Sequence, residues 1–157
     1  MIKTFLVFGI FWSFILFCPN KVNAEVKSDV LGLRLGMNKE AAHKILQRIG
    51  KLEKNESKQQ EVWALSGSDR RFSYIIIAFN KEYTEVRFIT AKARENGKRV
   101  RYDEVLDIKK ARQAGSSANL NYIQDVPASG KKAAYKIVAR GSDPNFLTYF
   151  SIERIYQ

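Results

Sequence analysis

The sequence predicts an α+β fold: a tandem repeat of a helix followed by three antiparallel strands, with the helices on one face of the sheet. Three observations lead there. Tyr74-Ile75-Ile76-Ile77-Ala78-Phe79 is echoed 61 positions later by Tyr135-Lys136-Ile137-Val138-Ala139-Arg140, and the same offset pairs Val86 with Leu147 and Phe88 with Tyr149. Apolar residues at Ala41, Ala42, Ile45, Leu46 and Ile49 recur at helical spacing ahead of the first copy. Short polar connections rich in Gly, Asn, Asp and Pro separate β-branched and aromatic runs, the pattern of antiparallel hairpins.

Taken in order, Lys3 opens a basic start, Phe5 to Phe17 is almost wholly apolar, and Val22-Asn23-Ala24 supplies the small residues of a cleavage site. This reads as a signal peptide over residues 1–24, leaving a single exported domain over 25–157, periplasmic or extracellular after cleavage near Ala24. The apolar run of about 14 residues is short against the roughly 18 that span a bilayer. An uncleaved anchor is the alternative, as is lipidation of Cys18, although Phe17 stands where lipoprotein processing wants a small residue. Cleavage at Ala24 removes the only cysteine, and with it thiol catalysis, disulfides and cysteine-ligated zinc. Setting Lys3 and Lys21 aside leaves 25 basic against 16 acidic side chains, a formal +9. Such a basic protein favours an acidic protein or an anionic envelope surface as partner.

Leu31, Leu33 and Leu35 alternate in a short extended segment. Asn38 then caps a helix, with Met37 as a hydrophobic staple, Glu40 at the positive dipole end and Gly50 as the stop. Lys51 to Gln60 has no apolar period and reads as a solvated loop. Strands follow over Glu61–Ser66, Phe72–Asn80 and Tyr83–Lys92, which closes repeat one at about residues 30–92. A linker at about 93–103 lies in a strongly basic stretch from Lys92 to Arg112. Repeat two, at about 104–157, opens with a helix capped by Asp107 and stopped at Gly115. Its strands run over Asn119–Val126, Lys132–Arg140 and Phe146–Arg154, turning at Pro127-Ala128-Ser129-Gly130.

Two such units, the first opening with Leu35-Gly36-Met37-Asn38 and later Ile49-Gly50, resemble the tandem units of the β-lactamase inhibitory protein family. They also resemble the BamE-type outer-membrane assembly lipoproteins. The resemblance implies one curved sheet with helices behind it and a concave face that grips a partner protein. The lipoproteins' cysteine is not matched, and the inhibitor's disulfides cannot form here.

No catalytic or cofactor signature accompanies this pattern, so no enzyme activity, metal or cofactor is expected. His43 is the only histidine, and helical periodicity sets it opposite Ile45 and Ile49 on the surface. Gly67-Ser68-Asp69 and Gly141-Ser142-Asp143 read as turns.

Strand alternation makes the functional expectation specific. Positions apolar in both copies should face the helices: Tyr74, Ile76 and Ala78 with Tyr135, Ile137 and Ala139, and Val86 and Phe88 with Leu147 and Tyr149. The outward face then carries Ile75, Ile77, Phe79, Arg87, Ile89, Lys136, Val138, Arg140 and Phe150 as partner-binding residues. A binding or assembly module of the cell envelope follows from that face. The alternative is a small-ligand carrier or enzyme with a pocket between helix and sheet. Self-association through the same face, or a loop folded over it, stands beside both. Nucleic acid is disfavoured, since the basic stretch offers only Tyr102 for stacking.

Overall fold

A computed structural model of the chain describes residues 26–155 apart from 58, 68 and 117. The expected signal peptide and Cys18 lie outside the described residues. The chain runs through helix α1 (Lys39–Ile49) and strands β1 (Gly50–Ser57), β2 (Gln60–Leu65), β3 (Phe72–Phe79) and β4 (Val86–Ala93). A 3-10 turn (Tyr102–Glu104) precedes β5 (Arg112–Ser116), β6 (Asn119–Val126), β7 (Tyr135–Gly141) and β8 (Tyr149–Arg154). All eight strands form one antiparallel sheet in the order β1-β2-β3-β4-β8-β7-β6-β5.

This corrects the expected fold class. The molecule is one eight-stranded antiparallel sheet with a single α-helix among the described residues, in place of a tandem repeat of a helix and three strands with helices on one face. Two segments account for the difference, and both are the sheet's edges. Residues 51–57, read as a solvated loop, are strand β1 with every side chain exposed. Residues 112–115, read as the end of a second helix, form strand β5 with Ser116, also polar. An edge strand beyond the rim of the core buries neither face, so its sequence carries no apolar alternation.

Helix α1 forms where its signals place it: Asn38 Oδ1 accepts the Ala41 N–H at 2.9 Å, and Ala42 and Leu46 are buried. Gly50 has a different reason from the expected one. Its backbone is extended and opens β1, and a Cβ there would stand 2.4 Å from the Ala64 carbonyl oxygen. In the second half the covering is done without a helix. Asp107 starts a single turn, Ala111 N–H to Asp107 O at 3.0 Å, and Ile108 is exposed. The segment lacks a buried apolar stripe that would sustain a longer helix. Val100, Tyr102, Val105 and Leu106 lie over the sheet instead, all buried. Tyr102 meets Tyr122 at 4.9 Å and donates to the Asp143 carbonyl.

Directly paired residues of antiparallel strands share a face. One row on the covered face therefore reads Glu61–Ile77–Ile89–Ile152–Ile137–Gln124. The four isoleucines are fully buried, each stabilising the fold by roughly 2–3 kcal/mol. The polar ends of the row tie the covering segments down: Glu61 to His43 of α1, and Gln124 Oε1 to the Asp107 N–H at 2.8 Å.

Candidate functional site

The same pairing rule fixes the opposite face. Its central row crosses all eight strands as Lys54–Val62–Ile76–Thr90–Ser151–Val138–Ile123–Arg112. At its middle the hydroxyls of Thr90 and Ser151 hydrogen-bond at 2.8 Å. A neighbouring row reads Lys51–Ala64–Tyr74–Lys92–Tyr149–Arg140–Asn121–Ala114, and the other flank reads Gln60–Ala78–Phe88–Glu153–Lys136–Asp125. The described segments 26–38 and 98–111 are tied to the covered face or the sheet ends through Val30, Leu33, Tyr102 and Leu106.

Lys136, Val138 and Arg140 stand on this open face, as the sequence predicts, and Arg87 is exposed at a β-bulge, its Nε donating to the Phe79 carbonyl at 2.9 Å. The other expected partner-binding residues do not join them. Ile75, Ile77, Phe79 and Ile89 are 0 % exposed and Phe150 is 2 %, all within the core under the covering segments. For Ile75, Ile77 and Phe79 the physical reason is a one-residue slip. For Ile89 it is the bulge at Arg87, which puts Val86 and Ile89 on one face, with Phe150 following through its partner Ala91. In β4 and β8 the offset of 61 does match buried with buried, Ile89 with Phe150 and Ala91 with Ile152. For β3 and β7 the matching buried residues are Ile75 with Ile137 and Ile77 with Ala139, an offset of 62. Shifting a strand by one residue exchanges its faces. Tyr74, Ile76, Phe88 and Tyr149, expected inside, consequently belong to the open face, whereas Tyr135 faces the core.

The open face mixes apolar side chains (Val62, Ile76, Val138 and Ile123) with the central Thr90–Ser151 hydroxyl pair, and carries an excess of cations. Lys51, Lys54, Lys92, Lys136, Arg140 and Arg112 occupy its rows, against Glu153 and Asp125. Lys136 reaches Glu153 at 3.1 Å and Lys92 reaches Glu95 at 3.9 Å. Arg140 and Arg112 have no ion pair among the described residues. The row Tyr74–Lys92–Tyr149–Arg140 alternates aromatic and cation across four adjacent strands, with Tyr149 37 % exposed.

Beneath α1 lies a polar cluster that periodicity does not reveal. Glu61, 2 % exposed, accepts from His43 Nε2 at 2.9 Å, Trp63 Nε1 at 2.9 Å and Tyr83 OH at 2.5 Å. His43 is therefore half-buried against Trp63 and Phe79, not on the outer surface as expected. Burial pushes the Glu61 carboxyl up, but the Tyr83 and Trp63 hydrogen bonds and the charge of His43 outweigh it and hold the group below the usual carboxylate range. Burial and the same hydrogen bond push the Tyr83 phenol up to about 12. With its acceptors filled by three donors, this cluster reads as a clamp between helix and sheet. Among the described residues no group of three or more His, Cys, Asp or Glu is placed to hold a metal ion, and no helix is long and apolar enough to cross a membrane. No protein-family model, curated protein or solved structure matches the chain.

Proposed function

We propose that the protein is an exported binding or assembly module of the cell envelope, holding an acidic protein against the open face of its sheet. The row Tyr74–Lys92–Tyr149–Arg140 carries this reading. Aromatic side chains supply contact area at low entropic cost, and an arginine without an internal counter-ion is a ready anchor for a carboxylate. Seven inter-strand steps of about 4.8 Å span roughly 34 Å, and three rows of alternating side chains cover roughly 20 Å, a patch on the order of 700 Å². That is close to the ~800 Å² each partner contributes to a standard protein interface. The cations of the face would repel one another less with carboxylates above them, which favours an acidic occupant.

Photo-crosslinkers placed at Tyr74 and Tyr149, with Lys44 and Arg48 on the exposed side of α1 as controls, test this in the native envelope. The expected result is an adduct with one acidic protein from the sheet positions only, lost in Lys92→Glu with Arg140→Glu. Adducts only with a second copy of the chain, with nucleic acid or with lipid, or equal yields at the control positions, would refute it.

A further inference from the structure

A concavity of about 360 Å³ lies between segment 28–36, the β6–β7 turn and the end of β8, on the side to which Tyr135 faces. Arg34, Lys131, Lys132 and Arg154 line it, with Asp29 as the one carboxylate in its wall and Tyr135, 8 % exposed, in its floor. These cations come from three separate parts of the chain, and local backbone structure holds each part. Val30 and Leu33 exchange both backbone hydrogen bonds at 2.9 Å around Leu31 and Gly32, whose φ values of 55° and 87° are both positive. For a leucine that conformation is strained, a cost that persists where surrounding structure demands the turn. It sets Arg34 at the rim. Ser129 and Lys132 likewise exchange two hydrogen bonds at 3.0 Å around Gly130 and Lys131, presenting two lysines side by side. Arg154 comes from β8 opposite Tyr135.

We propose that this cleft binds a phosphate-bearing ligand, the phosphate held among Arg34, Lys131, Lys132 and Arg154 and its carbon arm lying on Tyr135. The charge balance points to a dianion. Asp29 offsets one cation and Glu85, 3.7 Å from Arg154, offsets a second, leaving two positive charges unmatched. Asp29 is itself engaged, since its Oδ1 accepts from the Gly32 N–H at 3.3 Å. A phosphomonoester carries about −1.5 to −2 at neutral pH, with oxygens enough for several donors at once. A cleft walled by one sign of charge concentrates the opposite ion. The volume lies at the small end of ligand sites, roughly 300–1,000 Å³, so the arm must be short or leave the cleft, as in a small phosphate ester or a lipid phosphate headgroup. Burial pushes the Tyr135 phenol up, so it stays a neutral donor beside the anion.

The test is a titration of the whole protein, at constant ionic strength, followed by backbone amide NMR shifts. One arm uses glycerol 3-phosphate, and the other uses sedimentation with phosphatidylcholine vesicles that contain or lack phosphatidic acid. Saturable shifts at Arg34, Lys132 and Tyr135, or binding only to the phosphatidic acid vesicles, identify the soluble or the lipid source respectively. Lys131→Glu with Lys132→Glu should weaken whichever is seen by about tenfold or more. Lys136→Glu with Arg140→Glu, the same change of net charge on the open face, should leave it unchanged. Equal losses in both double variants, shifts confined elsewhere, or no binding in either arm would overturn the proposal. None of these outcomes depends on a protein partner at the open face.

Discussion

Replacing Glu61 by alanine should be among the most damaging single changes available to this chain. The carboxylate is buried and receives three donors, from His43, Trp63 and Tyr83, so its removal leaves three polar groups beneath α1 without their acceptor. A hydrogen bond to a charged group contributes roughly 1.5–3 kcal/mol, and losses within one cluster do not add, so a destabilisation of about 3–5 kcal/mol is expected. Urea unfolding of wild type and Glu61→Ala at pH 7 measures it directly. The pH dependence gives a second, independent reading. Because the folded state holds the Glu61 carboxyl below its ordinary value, its contribution is present above the ordinary carboxylate range and is lost as pH falls through the lower, folded-state value. Wild-type stability should therefore decline more steeply on acidification than that of Glu61→Gln. A loss below about 0.5 kcal/mol in Glu61→Ala, or parallel acid limbs for wild type and Glu61→Gln, would refute the clamp.

Tyr83 and Gly141 give two further expected outcomes. The Tyr83 phenol, pushed up to about 12, should give a step above the ordinary phenol value in an alkaline ultraviolet titration, its stabilisation present below the ordinary phenol value and lost as pH rises through its folded value. In Glu61→Gln that late step should move to lower pH. Gly141→Ala should cost about 1–3 kcal/mol in thermal or urea unfolding, because a Cβ there would stand 2.6 Å from the Tyr102 hydroxyl and 2.7 Å from the Phe146 carbonyl oxygen. An unchanged midpoint would show that this covering segment yields freely.

How much of this was legible in the sequence depended on burial. Helix α1 and its Asn38 cap are written in local chemistry, and the six strands with a buried face lie within a few residues of their expected spans. The two edge strands are not readable this way, since Lys51 to Ser57 and Arg112 to Ser116 bury almost nothing. The binding face turned on parity. Matching Tyr74 to Tyr135 by identity chose an odd offset where the buried pairs Ile75/Ile137 and Ile77/Ala139 require an even one, and so placed Ile75, Ile77 and Phe79 outside. Reading alternation straight through the bulge at Arg87 did the same to Ile89 and to Phe150 on the neighbouring strand. Residue type alone does not separate the two offsets, since the odd one pairs Ile76 with Ile137 and Ile77 with Val138 while the even one pairs Ile75 with Ile137 and Ile76 with Val138. The partnership of His43 with Glu61 had no signal either, because a carboxylate 18 residues from a lone histidine reads as solvated until the sheet is assembled.

Thiol-labelling rates test the open face most directly. Single cysteines are introduced at Tyr74, Lys92, Val138 and Arg140, and for comparison at Ile75 and Ile77, in a Cys18→Ser background. The four sheet positions should label rapidly in the isolated protein and slow by about tenfold or more in native envelope extract, while Ile75 and Ile77 stay protected in both. Labelling at Ile75 or Ile77 as fast as at Tyr74, or sheet positions indifferent to the extract, would contradict the assignment of this face as the docking surface.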